Sequence, residues 1–281
     1  MILRAKDKEH EIERALVALR GQTVPVEIIV VDSGSTDRTR EVARAHDATL
    51  IEIPPEDFTY GYALNVGAEA AGAPIHFALS AHCYPEREDW VERSLSHYAR
   101  PDVAGTGGYG PPEPGDPVIH QDLALLEADP FQGLSSHAGS WRADLWRRFP
   151  YDESMESAED REWSWRVLKE GWVIALDPAL RVATRHRKAY GVRHWYRISR
   201  RDVRAVATFM SLPRYTNREL VRDWRHVGRR RRRTGLRALA SPWRMASLLA
   251  KRDGTRDAAR VRSGARPPWS PPGRRPGSAP S

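Results

Sequence analysis

The first 80 residues alternate between short apolar runs and segments whose apolar residues recur at helical spacing. Four runs are typical of buried strands: residues 2–5, 26–31, 48–53 and 75–79. Three intervening segments are predicted to be helices: residues 11–20, 37–46 and 62–71. Ser35 or Thr36 is expected to cap the second of these helices. Right-handed connections between such strands would give a parallel sheet with its loops at one edge.

The periodicity weakens after Val103. A glycine-rich stretch follows, and helices are then predicted over residues 118–126 and 159–169, with a strand over residues 172–176. The sequence shows no internal repeat. The pattern therefore predicts an α/β domain whose second half is less regular than its first.

Composition sets further limits. With 40% apolar residues and ten tryptophans, the 281-residue chain is able to fill a substantial core. Its single cysteine, Cys83, excludes an intrachain disulfide and a multi-cysteine metal site, and we expect it to be a small buried apolar residue. The absence of a membrane-spanning apolar run and of a signal-peptide core at the N-terminus predicts a cytoplasmic protein.

Positive charge is concentrated near the end of the chain. Residues 214–281 hold 19 of the 45 lysines and arginines but 4 of the 37 acidic residues, so the preceding part is net acidic. This separation argues against a nucleic-acid-binding protein, whose basic residues would spread over the folded portion. The arginine run 229–233 and the apolar residues after it favour either a basic amphipathic helix on an anionic membrane surface or a solvated extension. Three regions are predicted: a domain over residues 1–210, a basic helical extension over 211–252, and a disordered tail over 253–281.

Two polar clusters carry the candidate chemistry. The second predicted strand gives way abruptly to Asp32 and Ser33, as happens where an open α/β sheet forms a ligand crevice. Asp37, a little further on, serves equally well in ligand contact or in turn formation. Glu159 and Asp160 stand at the start of a predicted helix, where the helix dipole favours negative charge and a carboxylate is able to act as a general base. The two clusters suggest one site assembled from distant segments.

Six short motifs follow one another along the chain. They are Arg4-Ala5-Lys6-Asp7, Val31-Asp32-Ser33-Gly34-Ser35-Thr36-Asp37, Asn65-Val66-Gly67, Leu79-Ser80-Ala81-His82-Cys83-Tyr84-Pro85, Glu159-Asp160 and Arg185-His186-Arg187. In this order they resemble the inverting family 2 glycosyltransferases of the GT-A fold, which move a sugar from a nucleotide diphosphate to an acceptor hydroxyl. The resemblance covers residues 1–204. It implies an α/β fold with a Rossmann-like, mostly parallel central sheet and flanking helices, followed here by the basic C-terminal helical extension.

The resemblance also implies roles for individual residues. The nucleotide-sugar donor would be bound by side chains and backbone groups from four motifs: Ala5, Lys6, Asp7, Asp32, Ser33, Asn65 and Ser80. Asp160 would act as the catalytic base, with Glu159 orienting the acceptor or a metal ion. Residues 137–141 would line the acceptor side, and Trp163 and Trp165 would either stack on a sugar ring or belong to the core.

The chain departs from the family in two acidic motifs. Ser33 stands where the family commonly has a second acid, and Ser80-Ala81-His82 stands where it has two metal-binding acids. His82 together with His186 would suit Mn²⁺ or another transition ion better than Mg²⁺. Alternatively, a metal-independent site would neutralise the donor diphosphate with basic side chains: Arg185, Arg187, Lys188, Arg193 or Arg197.

We therefore expect a hexosyl- or deoxyhexosyltransferase that acts in polysaccharide, glycolipid or cell-envelope glycan synthesis. Its acceptor would be a carbohydrate or a lipid-linked saccharide. Of the two alternatives for the basic extension, membrane contact would place the protein at the inner face of the membrane, and a solvated extension would leave it in the cytoplasm. Because these acids are missing, a noncatalytic nucleotide-sugar-binding protein remains the alternative to an enzyme. A nucleotidyltransferase is less favoured, because residues 4–7 lack the glycine- and lysine-rich signature of that class.

Overall fold

The computed structural model describes residues 1–109, 115–184, 191–230 and 241–264. The chain divides into two compact units. The first comprises Met1–Met155 and Glu159–Arg187, and the second comprises Glu156–Ala158 and Lys188–Ser281.

Strands and helices alternate through the amino-terminal half of the first unit. Its described strands are β1 (Ile2–Ala5), β2 (Ile29–Asp32), β3 (Thr49–Glu52), β4 (Ile75–Ser80), β5 (Cys83–Tyr84), β6 (Val103–Gly107), β7 (Ile119–Gln121), β8 (Ala138–Arg142), β9 (Val173–Leu176) and β10 (Ala183–Thr184). Its described α-helices are α1 (Ile12–Arg20), α2 (Thr39–Ala45), α3 (Tyr60–Ala70), α4 (Trp90–Ser96), α5 (Leu123–Ala128), α6 (Ala143–Arg148) and α7 (Glu159–Lys169).

Eight of these strands form one mixed sheet in the order β3-β2-β1-β4-β8-β6-β9-β7. β1 pairs in parallel with β2 and β4, and β2 pairs in parallel with β3, which confirms the predicted parallel half. β8 runs antiparallel to β4 and β6, and β7 runs antiparallel to β9. β5 and β10 form a separate two-stranded sheet. The unit is thus an α/β fold with a large central sheet flanked by helices.

The core lies where the sequence places its apolar runs. β2 is buried at every position. Ile12, Leu16 and Leu19 of α1 are each at most 1% exposed and belong to the same apolar cluster as Val30 of β2. These residues recur at helical spacing, so one face of α1 covers the sheet. Cys83 is 1% exposed, and burial raises the pKa of its thiol, in agreement with a small apolar residue in the core.

Two local predictions are wrong. Residues 118–126 form a strand, β7, and a separate helix, α5, instead of one helix. The break occurs because Asp122 caps α5, its Oδ1 accepting a hydrogen bond from the Leu125 N–H at 2.9 Å. α2 has no side-chain cap, because Ser35 and Thr36 are bonded to the loop that follows β1.

The second unit contains three described helices: α8 (Val192–Phe209), α9 (Asn217–Arg230) and α10 (Pro242–Arg262). α8 and α10 run parallel. Near the N-termini of both helices, Trp195 Nε1 of α8 donates to Ser247 Oγ of α10, and residues later in α8 contact residues later in α10. Further along, Arg200 pairs with Asp257 at 2.7 Å. Gly254 permits the close approach of the two helices, since a Cβ atom there would lie 2.8 Å from the Arg200 carbonyl oxygen.

The predicted C-terminal boundaries need correction. α10 continues to Arg262, so the first ten residues of the predicted disordered tail are helical, stabilised by buried alanines that include Ala250 and Ala258. α8 lies in the second unit, which moves the domain boundary from residue 210 to residue 187. Residues 231–240, which hold part of the arginine run, and residues 265–281 lie outside the described residues. None of the described helices is both long and apolar enough to cross a bilayer.

Candidate active site

The ends of four strands meet at one edge of the sheet. Ala5 of β1 is in register with Asp32 of β2, and Arg4 of β1 is in register with Ser80 of β4. β8, the next strand in the sheet, begins there at Ala138. Because adjacent strands lie about 4.8 Å apart, the four strand ends span roughly 15 Å. The motifs that follow these strands therefore lie side by side.

Asp32 organises the loop after β2. Its side chain is fully buried, and Oδ1 accepts hydrogen bonds from the N–H groups of Gly34 and Ser35 at 3.1 and 2.9 Å. Oδ2 accepts a bond from the Ser35 hydroxyl. Gly34 has a φ of 83°, which favours glycine, so this tight turn depends on its residue type. The Asp32 side chain thus shapes the loop, and its direct contact with the donor stays a prediction. Ser33 is also buried, its hydroxyl donating to the Ala5 carbonyl at 3.4 Å.

The loop after β1 is fastened to the loop after β2 and leaves Lys6 exposed. Asp7 has a φ of 50°, and its Oδ1 accepts a hydrogen bond from the Thr36 N–H at 2.8 Å. Asp37 accepts a bond from the Glu9 N–H at 3.1 Å, so its side chain serves loop formation. No described carboxylate lies within ion-pairing distance of the exposed Lys6 ammonium. Lys6 and the second oxygen of Asp7 are therefore available to a ligand at this edge.

α7 brings Glu159 and Asp160 to the same edge. The Ser136 N–H donates to Asp160 Oδ2 at 2.7 Å, and the Ser136 hydroxyl donates to Glu159 Oε1 at 2.8 Å. The neighbouring residue His137 accepts a hydrogen bond from the Ser80 N–H through its carbonyl oxygen at 2.9 Å. These bonds connect the start of α7 to the end of β4. The two polar clusters, separated by more than a hundred residues, therefore converge.

Arg4 is a buried cation between the end of β1 and the acids of α7. Its side chain is 7% exposed, with Nη1 3.4 Å from Glu159 Oε1 and Nη2 donating to the Ser136 carbonyl at 2.6 Å. Its guanidinium carbon lies 5.2 Å from the centre of the Tyr60 ring. The sequence analysis assigned Arg4 no separate role. A charged residue inside a buried strand was the available signal, because such a charge requires a partner.

The two acids of α7 occupy different environments. The pKa of Glu159 is raised to about 7, chiefly by burial and then by the charge of Asp160, whereas Arg4 and the Ser136 hydroxyl oppose the rise. Asp160 accepts a second hydrogen bond from the Arg161 N–H at 2.8 Å. Glu159 therefore exchanges a proton near neutral pH beside a carboxyl group that is fixed by two backbone donors. Paired acids in unlike environments are typical of acid–base sites.

The end of β4 lacks the acids of the family's metal site. Among the residues that the structure describes, no three His, Cys, Asp or Glu side chains are grouped closely enough to hold a metal ion. The rings of His82 and His137 lie 6.0 Å apart, so two imidazoles flank this edge. His186, the second predicted metal ligand, lies outside the described residues, as do Arg185, Arg187 and Lys188. The described side chains do not fit an acid-based metal site, and we assign no chemical step to a metal ion.

Asn65, predicted to contact the donor, instead connects α3 to the segment before α7. Its Nδ2 donates to the Tyr151 carbonyl at 2.9 Å and to Glu153 Oε1 at 3.0 Å. Its Oδ1 accepts bonds from Trp146 Nε1 at 2.9 Å and from the Tyr151 N–H at 3.0 Å. These four bonds use the full capacity of the amide. The predicted donor contact is therefore wrong for Asn65.

Asn65→Ala is expected to lower stability without changing donor affinity. Removing the amide leaves the Trp146 and Tyr151 groups without their partner, which costs roughly 2–4 kcal/mol and lowers Tm by about 5–10 °C. Thermal unfolding and donor titration on the same variant measure the two effects. A loss of donor affinity with unchanged Tm would restore the ligand role, and Glu69→Ala, at an exposed position of the same helix, is the control.

The remaining predicted site residues divide between surface and core. His137 is exposed at the site, whereas residues 138–141 are buried in β8, and the predicted contact of this segment with the acceptor stays a prediction. Trp163 is fully buried with its ring centre 6.0 Å from that of Tyr151, which places it in the core. Trp165 has the Lys169 ammonium 4.4 Å from its ring centre.

A cleft of about 610 Å³ opens beside His82, between α1 and β5. His10, just before α1, Arg14 of α1 and Tyr84 of β5 contribute to its walls. Arg14 donates to the Tyr84 hydroxyl at 3.3 Å, which holds a guanidinium on one side of the cleft. The volume is in the range of small-molecule sites.

Residues 2–143, just over half of the chain, match the sequence profile of Glycosyl transferase family 2. The chain belongs to this family. The glycosyltransferase AglE of Haloferax volcanii is 33% identical over 114 residues, covering 38% of this chain and 36% of AglE. The 4,4'-diaponeurosporenoate glycosyltransferase of Staphylococcus aureus is 40% identical over 53 residues, covering 19% of this chain and 14% of that enzyme. The chain thus spans about a third of the length of AglE and a smaller share of the staphylococcal enzyme.

Solved glycosyltransferase structures share the GT-A fold. The mannosyltransferase PcManGT of Pyrobaculum calidifontis, in complex with GDP-Man and Mn²⁺, has a TM-score of 0.58 at 16% identity over 95% of this chain and 75% of that one. Glucosyl-3-phosphoglycerate synthase of Mycobacterium tuberculosis has a TM-score of 0.57 at 19% identity over 75% and 79%. TarS 1–349 of S. aureus has a TM-score of 0.53 at 16% identity over 94% and 90%. The chain therefore combines the family 2 sequence with the family's fold.

Proposed function

We propose that this family 2 member transfers a sugar from a nucleotide-diphosphate donor to an acceptor hydroxyl with inversion at the anomeric carbon. The observation that carries the proposal is the convergence of Glu159 and Asp160 with the loops after β1 and β4, through Ser136 and Arg4. A donor across the first half of the sheet would have its reacting carbon within reach of these acids.

In this proposal Asp160 accepts the proton of the acceptor hydroxyl as its oxygen bonds to the anomeric carbon. The bond between that carbon and the diphosphate oxygen breaks on the opposite face, and its electron pair leaves with the nucleoside diphosphate. Backbone donors from Ser136 and Arg161 fix the Asp160 carboxyl group, so its orientation is set before the substrates arrive. Glu159 and Arg4 position Ser136, because Glu159 accepts from its hydroxyl, Arg4 donates to its backbone carbonyl, and the two side chains also bond to each other.

The negative charge of the leaving diphosphate requires a cation. We propose Lys6 for this role, because its side chain is exposed at the sheet edge without a described carboxylate partner. His82 is proposed to contact the donor or a divalent metal ion, with His186 as the predicted second ligand. PcManGT was solved with GDP-Man and Mn²⁺, and glucosyl-3-phosphoglycerate synthase with UDP-glucose and Mn²⁺, so both donors and the metal belong in the test.

A thermal-shift panel of UDP, GDP, dTDP and CDP sugars, each with and without Mn²⁺, is expected to reveal one stabilising donor. A donor at a hundred times its Kd adds about 2.7 kcal/mol of stability, which is readily seen in Tm. His82→Ala should remove the Mn²⁺-dependent part of the shift, whereas His120→Ala, at an exposed position on β7, should not. Undiminished Mn²⁺ dependence in His82→Ala would contradict the role of His82.

The absence of acids at positions 80 and 82, where this chain has Ser80 and His82, favours a second candidate function, noncatalytic binding of a nucleotide sugar. The two candidates differ in one measurement. A stabilising donor that is neither transferred to any acceptor nor hydrolysed would support the binder, and release of nucleoside diphosphate that depends on Asp160 would support the transferase.

The acceptor is proposed to be a carbohydrate or a lipid-linked saccharide in polysaccharide, glycolipid or cell-envelope glycan synthesis, and the sugar a hexose or deoxyhexose. A cytoplasmic location with peripheral contact to the inner face of an anionic membrane is part of the same proposal. Trp195 and Trp243, 44% and 49% exposed, support it because they stand at the same end of the parallel helices α8 and α10. Exposed Arg193 and Arg197 lie beside Trp195 along α8. Aromatic and basic side chains together suit a bilayer interface.

Trp195→Ala combined with Trp243→Ala is expected to weaken binding to vesicles that contain phosphatidylglycerol by about tenfold, since two aromatic anchors are lost. Cosedimentation with anionic and with phosphatidylcholine vesicles measures the effect. Leu125→Ala, at a 47% exposed position of the first unit, is the control. Equal sedimentation of both variants would remove membrane contact from the proposal.

A further inference from the structure

A small cavity in the second unit has three arginines in its walls. Its volume is about 300 Å³, and it is lined by Arg214, Tyr215, Thr216, Asn217, Arg252 and Arg256. The first four precede or begin α9, and the last two lie four residues apart on one face of α10. The cavity therefore joins two segments of the same unit and is separate from the residues assigned above to sugar transfer.

The charges in this cavity are unbalanced. Arg252 Nε donates to Asp253 Oδ1 at 2.8 Å, and Arg252 Nη1 donates to Asn217 Oδ1 at 3.3 Å, so this guanidinium is held in place. Within the described ranges, Arg214 and Arg256 have no carboxylate at ion-pairing distance. Of the three guanidinium groups that line the cavity, the one of Arg252 is therefore ion-paired, and the two positive charges of Arg214 and Arg256 are left uncompensated by a direct ion pair.

The wall of the cavity is rigidly built. Tyr215 is 7% exposed, its N–H donates to Thr255 Oγ1 at 2.9 Å, and its hydroxyl donates to Asp223 Oδ2 at 2.6 Å. The Lys251 ammonium lies 4.6 Å from the centre of the Tyr215 ring. These contacts fix the backbone next to Arg214 against α10. The arginines are therefore presented from a fixed scaffold and need little ordering on binding.

We propose that this cavity binds a phosphate group, as a free phosphate ion or as the phosphate of a lipid headgroup. A phosphate dianion would neutralise the two uncompensated charges, and its oxygens match the planar fork of a guanidinium better than a point charge does. The volume accommodates a phosphate with a small substituent. The inference does not depend on the proposed sugar transfer.

The test is calorimetric titration of the full chain with inorganic phosphate, together with cosedimentation on phosphatidylglycerol vesicles with and without excess phosphate. Arg214→Gln combined with Arg256→Gln is expected to weaken binding at least tenfold, and these exposed positions are not expected to affect folding. The same pair changed to Lys keeps the charge and loses the fork, so an intermediate loss is expected. Arg181→Gln combined with Arg260→Gln removes equal charge from exposed positions outside this cavity and outside the proposed membrane-contacting surface, and it is the matched control.

The source of the phosphate follows from the two measurements. Phosphate binding that requires Arg214 and Arg256 without an effect on vesicles supports a free phosphate ligand. Vesicle binding that requires the same arginines and is released by phosphate supports a headgroup. Phosphate and vesicle binding that persist in the Gln variant, fall equally in the control, or are absent from the unmodified chain would overturn the proposal. Neither measurement involves sugar transfer, so failure here is distinguishable from failure of the proposed enzyme activity.

Discussion

Asp160→Asn is expected to lower the turnover of sugar transfer by about 10²–10⁴-fold while leaving donor binding unchanged. The substitution removes the proposed proton acceptor, and general base catalysis is worth this much. An amide oxygen at this position still accepts the Ser136 N–H that now bonds Asp160 Oδ2, so the loop before β8 should be retained. Turnover measured as release of nucleoside diphosphate, together with a donor titration, separates the two effects.

Glu170→Gln is the matched control, because it removes an exposed carboxylate just beyond the other end of the same helix. It should retain full turnover. Asp160→Asn with unimpaired turnover would show that another group takes the proton, and the assignment of the site to base catalysis would be abandoned. A loss of turnover accompanied by a large fall in Tm would indicate a structural role for Asp160 instead.

The parallel half of the fold is readable from the sequence because its strands are buried on both faces. β1, β2 and β4 are therefore nearly continuous apolar runs, and the helices between them show apolar residues on one face. β6 and β8 carry no such signal, since glycine, serine and threonine occupy much of both strands. Their hydroxyl groups bond to one another inside the sheet, as Thr106 and Ser140 do at 2.7 Å. Polar strands whose partners lie elsewhere in the chain cannot be recognised from local periodicity.

Likewise, only part of the candidate site could be predicted from the sequence. The positions of Lys6, His82 and Asp160 at the sheet edge follow from motifs that end strands or begin a helix. The roles of Asn65 and Arg4 could not be predicted from such motifs, because each side chain bonds to partners up to 155 residues away in the sequence. A short polar side chain is as suitable for a ligand as for a backbone carbonyl, and only the fold decides between them.

Arg4→Met is expected to destabilise the protein more at pH 8 than at pH 5. The pKa of Glu159 in the folded protein, about 7, lies above its ordinary value of 4.5, so the folded state holds a proton that the unfolded state releases. The contribution of this group to stability is therefore largest below pH 4.5 and falls as pH rises towards 7. Removing the Arg4 cation raises the pKa of Glu159 further and extends that loss above pH 7. At pH 8 the broken buried pair is expected to cost about 3–5 kcal/mol.

Thermal unfolding of Arg4→Met and of the unmodified protein at pH 5 and pH 8 measures the difference. Part of the loss is independent of pH, because Arg4 also donates to the Ser136 carbonyl. Arg4→Met combined with Glu159→Gln removes the titrating group, so the extra loss at pH 8 should disappear while the pH-independent part remains. If Arg4→Met lowers Tm equally at both pH values, Arg4 does not control the charge of Glu159. The buried cation would then serve only to hold the Ser136 backbone, and Asp160 would depend on it for position alone.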